Sequence, residues 1–179
     1  DVWAIGDKNK IYCNEADGYP ISFWREAQRP SFVKDITMGS NMVWIITNTG
    51  SVMTANLPDG QICNSSTGWV NKDEAGITIV DIDASMSTLW GVDSENNVYY
   101  RNLSGTRAWT KVHGELTTVA ADDSFVWGFA PNGDIMCMPS VSKNGWRKVE
   151  NPYNLKKLSV GNGETWGVTA DNKLYRMNS

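Results

Sequence analysis

Tryptophan recurs along this chain inside one short string, and that recurrence limits the possible folds more than any other feature. Trp3, Trp44, Trp90, Trp127 and Trp166 sit in VWAI, VWII, LWGV, VWGF and TWGV. The gaps are about 41, 46, 37 and 39 residues, a period typical of propellers and repeat arrays. Eight residues after each Trp comes an aliphatic residue: Ile11, Val52, Val98, Ile135 and Leu174. Between the two lie segments such as Asn48-Thr49-Gly50 and Pro131-Asn132-Gly133, rich in residues that tolerate positive φ. Each unit reads as a β-hairpin whose register the fixed offset holds.

A second signal lies eight residues before four of these anchors, at Ile36, Ile82, Val119 and Leu158. Around each, apolar residues follow the pattern φ-x-x-φ-x-φ, for example Val33/Ile36/Met38 and Leu155/Leu158/Val160. The closing alternation predicts a strand with one packed face. Small residues (Thr37, Asp83, Ala120 and Ser159) separate the last two apolar positions, as crowding around a central axis requires. The other four tryptophans, Trp24, Trp69, Trp109 and Trp146, precede that inner strand and mark an outer one. Four strands per unit predict an all-β fold, a β-propeller of about five blades in one domain over residues 1–179. Counting gives four inner strands, five hairpins and four outer strands.

The strings resemble those of the tectonin repeat family. The resemblance is closest where Trp146-Arg147-Lys148-Val149, Leu158-Ser159-Val160-Gly161, Trp166-Gly167-Val168 and Leu174-Tyr175-Arg176 follow in order. Leu89-Trp90-Gly91-Val92 with Val98-Tyr99-Tyr100-Arg101 is equally close. The second unit departs most, since VWII and SVMT lack the Gly, Tyr and Arg and an insertion runs from about Asn56 to Gly68. What the resemblance implies is a propeller lectin for microbial or modified surface glycans in innate defence, or a propeller that docks proteins.

Charge and chemistry narrow the function classes. Lys and Arg number 16 against 20 Asp and Glu, a net charge of -4, which offers no footprint for a nucleic acid backbone. No apolar run is long enough to span a bilayer. His113 is the one histidine, in KVHGEL, and reads as an edge residue rather than a catalyst. No Cys/His cluster has metal-ligand spacing, and neither metal nor cofactor is expected. Asp81 and Asp83, or Asp122 and Asp123, could juxtapose carboxylates, but their separation in the fold would decide any glycosidase chemistry. An enzyme is not expected.

Sugar recognition needs an aromatic face for the C–H side of a pyranose and polar groups for its hydroxyls. Trp24, Trp69, Trp109 and Trp146 fit the first role, and structural packing fits them equally well. Arg101, Arg176, Asn56, Asn102 and Asn178 are candidates for the second, with turn formation as the plainer account of the asparagines. Units with Arg101 beside Trp109, or Arg176 near Trp146, are expected to bind better than the Met53–Thr54 unit. Trp109 is expected to contribute less to stability than Trp90 or Trp127. Longer loops place ligands toward the face carrying Asp122–Ser124 and Gly161–Gly163, or in grooves between blades. Single sites should be weak, on the order of mM, and multivalent together.

Asn64 and Asn102 begin N-x-S/T sequons, which matter only on a secretory route. Cys13, Cys63 and Cys137 are odd in number, so at least one is free or pairs between chains; three buried reduced thiols fit as well as a disulfide, and an oligomer stays open. An extracellular location is the expectation, with a cytoplasmic one as its rival.

Overall fold

The computed structural model describes residues 2–14, 24–27, 32–56, 68–104 and 108–177. They form five antiparallel sheets. The first holds β1 (Val2–Ile5), β2 (Ile11–Asn14) and β3 (Arg25–Ala27), and the second β4 (Val33–Gly39), β5 (Met42–Thr47), β6 (Val52–Asn56) and β7 (Val70–Asn71). The third holds β8 (Ile79–Ala84), β9 (Thr88–Asp93), β10 (Asn97–Asn102) and β11 (Thr110–Glu115). The fourth holds β12 (Ala120–Ala121), β13 (Phe125–Phe129), β14 (Ile135–Pro139) and β15 (Arg147–Val149). The fifth holds β16 (Leu155–Gly161), β17 (Glu164–Thr169) and β18 (Leu174–Met177). Each sheet runs in chain order as a meander, the strand plan of a propeller blade. The chain is an all-β propeller of five blades, with the strands in the sequence-predicted roles. Two compact units divide it, Asp1–Ile79 and Val80–Ser179.

The hairpin turns show why the eight-residue offset is rigid. In every unit the sixth residue after the Trp has positive φ: Asn9, Gly50, Asn96, Gly133 and Asn172. Its backbone N–H donates three residues back in four of them, to the carbonyls of Thr47, Asp93, Ala130 and Thr169. This is a type I turn closed by a left-handed residue, which favours Asn and Gly. The residue three after the Trp also organises the turn through its side chain. Thr47 Oγ1 accepts from Ser51 N at 3.1 Å and Thr169 Oγ1 from Lys173 N at 3.0 Å.

Asp93 does the same with both oxygens. Oδ1 accepts from the backbone of Glu95 and Asn97, and Oδ2 from Asn97 Nδ2 and the Tyr99 hydroxyl. Burial pushes this carboxyl up, yet the hydrogen bonds from Asn97, Glu95 and Tyr99 outweigh it and hold the group below the usual carboxylate range.

The φ-x-x-φ-x-φ pattern has a backbone cause. The register shifts between Val33 and Asp35 and again between Leu155 and Lys157, so each strand carries an extra residue between its first two apolar positions. That is a β-bulge. Beyond it Leu155 lies over Gly167 of the neighbouring strand, where an added Cβ would come within 3.0 Å of Leu155 Cδ2. Leu116 covers Gly128 in the same way. In the second sheet the Gly becomes Ile45 and the Leu becomes Val33, and both are fully buried together. The departure of VWII from the repeat is thus a size exchange within one contact.

Candidate functional site between the fourth and fifth sheets

Residues directly opposite in an antiparallel sheet share a face. Each hairpin Trp therefore belongs to a cross-strand row. In the fourth sheet it runs Ala120–Trp127–Cys137–Arg147, and in the fifth Ser159–Trp166–Arg176. In the third Trp90 stands beside Tyr100, in the second Trp44 lies between Thr37 and Thr54, and in the first Trp3 stands beside Cys13. The small residues Thr37, Ala120 and Ser159 sit opposite a Trp and leave room for its ring.

Within each compact unit the face of one sheet that bears the Trp meets the other face of the following sheet. Between the third and fourth sheets this interface is filled. Trp90 packs into one cluster with Ala121, Val126 and Met138, and Tyr100 lies against it. Between the fourth and fifth sheets the same positions leave a groove of about 270 Å³. Trp127, Cys137 and Phe125 line one wall, Val160, Thr165 and Met177 the other, with Asp122 and Gly163 beside them. At the position beside the Trp the filled interface has the phenol ring of Tyr100 and the groove the smaller thiol of Cys137.

Asp122 ties the two sheets together. Its Oδ1 accepts from the backbone of Ser124 and Phe125, and its Oδ2 from Gly163 N at 3.0 Å. The other acids serve similarly: Asp81 and Asp83 accept from the backbone of Val119 and Ala121, and Asp123 from Met86 N. These carboxylates latch neighbouring backbone rather than flank a substrate. Burial pushes the Cys137 thiol up to about 11, so it stays protonated and is no nucleophile. An apolar recess with an aromatic wall and a few polar atoms at its edge suits the binding of a small ligand.

The sequence-nominated residues scatter. Arg101 is 3% exposed and Trp109 7%, with the guanidinium 5.3 Å from the ring centroid. This pair is packed away and offers no open sugar platform. Val98 aligns with Leu174, so Arg101 lies one residue beyond the position of Arg176 and faces the other side of its sheet. Arg176 is exposed and pairs with Glu164 at 3.2 Å, while Trp146 lies just before β15 of the fourth sheet and packs toward the third. Arg176 and Trp146 do not form one site.

Trp146 donates its indole N–H to the His113 carbonyl at 2.8 Å and covers Gly114, whose φ is +117°. Trp69 packs against the core of its unit. Trp24 is 48% exposed. Asn56 and Asn102 are exposed at strand ends, while Asn178 and Asn64 lie outside the described residues. Cys13 is disulfide-bonded, Cys137 is free, and Cys63 lies outside the described residues. The sequence reading missed Phe125, Val160, Thr165 and Met177; the available signal was Cys137 standing in register with Tyr100.

A Tectonin domain profile matches residues 32–179, and the chain belongs to that family. None of the curated proteins is similar enough in sequence to count as a relative. Among solved structures the chain is similar to human WBSCR16, with a TM-score of 0.65, 10% identity and coverage of 97% of this chain and 58% of that one. The chain thus spans little more than half of that protein. It is also similar to a structure from the nidogen/laminin complex, at 0.67, 9% identity, 96% of this chain and 72% of that one. A third is from Kap60 bound to yeast RCC1, at 0.58, 9% identity, 94% and 52%. At these identities the likeness shows the fold alone.

Proposed function

We propose that this tectonin propeller is a carbohydrate-binding lectin that seats the apolar side of a microbial or modified surface glycan in the groove between its fourth and fifth sheets. The observation that carries this reading is the groove itself, an aromatic-walled recess held open by Cys137 where Tyr100 fills its counterpart. Trp127 and Phe125 supply faces for sugar C–H or O-methyl groups, and Thr165 and Asp122 supply oxygen atoms. The disulfide at Cys13 supports an extracellular setting.

The repeats are unequal as sites, because the corresponding interface between the third and fourth sheets is filled. One such groove should bind weakly, on the order of mM, and firm retention on a glycan surface requires several copies of it engaged together, gaining roughly 10²–10⁴ through effective concentration. A glycan array of microbial and methylated glycans tests the reading, and binding to at least one class is expected. Silence across the array favours a protein-docking propeller. That second reading draws on the exposed apolar side chains Phe125, Trp166 and Leu174 and on the protein partners named for the nidogen and RCC1 structures.

A further inference from the structure

Apart from the groove, the third sheet carries an aromatic corner that the other sheets lack. Opposite the hairpin Trp stand Cys13, Thr54, Cys137 and Arg176 elsewhere, but Tyr100 here. The Trp90 and Tyr100 rings are 5.5 Å apart and tilted by 41°. Lys143 enters from the loop after β14 and places Nζ 4.6 Å from the Trp90 centroid and 4.7 Å from the Tyr100 centroid. Among the described residues that ammonium has no ion pair and no hydrogen-bond acceptor. Among those residues two ring faces hold it.

The loop is shaped to deliver it. Lys143 has φ +55° and Gly145 +82°, and Ser142 Oγ donates to both the Pro139 and Asn144 carbonyls. Val141 beside it is exposed, so the tip stands in solvent while the side chain reaches inward. Burial also lowers the Lys143 pKa, the response of a cation that has lost water without gaining an acceptor. A primary ammonium gives up three donors' worth of hydration in such a place. A quaternary ammonium has no donors to lose, and its methyl groups meet ring faces directly. The corner is therefore better matched to an N-methylated cation than to its present occupant. The indole N–H of Trp90 is buried without an acceptor among the described residues, so the wall of the corner also holds an unused donor.

We infer that the Trp90–Tyr100 corner is a recognition site for a quaternary ammonium such as a choline headgroup, with Lys143 as a built-in competitor that swings out when the ligand enters. The site is separate from the groove beside Trp127 and stands or falls independently of sugar binding there.

The test is a titration of the whole chain with tetramethylammonium, phosphocholine and the neutral tert-butyl analogue of choline, followed by calorimetry and NMR. Lys143→Ala should bind both cations about tenfold or more tighter than the unaltered chain. Tyr100→Leu in the Lys143→Ala background should lose that gain, and the neutral analogue should not bind. No gain in Lys143→Ala, or equal binding of the neutral analogue, overturns the inference.

A second measurement leaves the fold untouched. The chain is prepared with lysine carrying isotope-labelled Cε, leaving the ammonium unmodified, and the Lys143 Cε–H signal should lie upfield from ring currents. It should move to the solvent position as tetramethylammonium is added, and a signal that ignores the cation contradicts the inference. Retention on phosphatidylcholine vesicles would assign a lipid source, and phosphocholine binding without such retention a soluble or glycan-borne one.

Discussion

Cys137 stands directly across the hairpin from Trp127, at the place where Tyr100 stands across from Trp90. This exchange in one cross-strand row is one difference between the filled interface and the open groove. The thiol is quiet because burial in this apolar recess outweighs the Arg147 guanidinium beside it in the row, which by itself would lower its pKa.

Alkylation of Cys137 should therefore be slow near neutral pH. With the thiol pushed to about 11 by burial, the reactive thiolate grows roughly tenfold per pH unit until that value is approached. Mass spectrometry of the Cys137 peptide after timed iodoacetamide treatment measures the profile. Rapid labelling at about pH 7 would show a different environment.

The tryptophans should not divide as the sequence suggests. Trp90 is fully buried and Trp109 nearly so, hence Trp90→Ala and Trp109→Ala should each cost about 3–5 kcal/mol. Trp24→Ala, at a half-exposed position, should stay within about 0.5 kcal/mol. Urea denaturation of the three variants compares them. A Trp109 variant as mild as the Trp24 variant would restore the outer tryptophans as a surface class.

Gly167→Ala should destabilise by about 1–3 kcal/mol, because its Cβ would press on the Leu155 side chain. Leu155→Val in the same chain should recover part of that loss, imitating the Val33 and Ile45 pair of the second sheet. Thermal melts of single and double variants show whether the two costs are coupled. Simple additivity would mean that the contact is not the cause.

Asp93 gives the fold an acid-sensitive turn. Its folded pKa is depressed by its hydrogen bonds, so its stabilisation is present above the unfolded value of about 3.9 and fades as pH falls through the lower folded value. Asp93→Asn should be less stable at neutral pH and should flatten the decline in this acidic window. Denaturation midpoints measured across the window would show an unchanged slope if the carboxylate were unimportant.

The repeat was legible because hydrophobic position and turn chemistry are local. Trp at a fixed distance from an aliphatic residue specifies a hairpin, and Asn or Gly at the left-handed position closes it. The candidate site was less legible because it depends on which side of a sheet a residue takes. Arg101 and Arg176 look alike in VYYR and LYR, yet one position of register sends Arg101 to the opposite face and into the core. Trp146 and Trp69 read equally as platforms or as packing, and only the neighbouring sheet decides. The groove arises from a missing ring, and a cavity leaves no residue of its own in the sequence.

The most direct test of the proposed function places an array-selected saccharide on the chain and watches its methionine methyl groups by NMR. Met177 lines the groove, while Met138 is fully buried in the filled interface. The saccharide should shift Met177 and leave Met138 in place, and Cys137→Tyr should abolish both the shift and retention on a glycan surface without loss of fold. Binding that bypasses Met177, or that survives Cys137→Tyr unchanged, would contradict the groove as the sugar site.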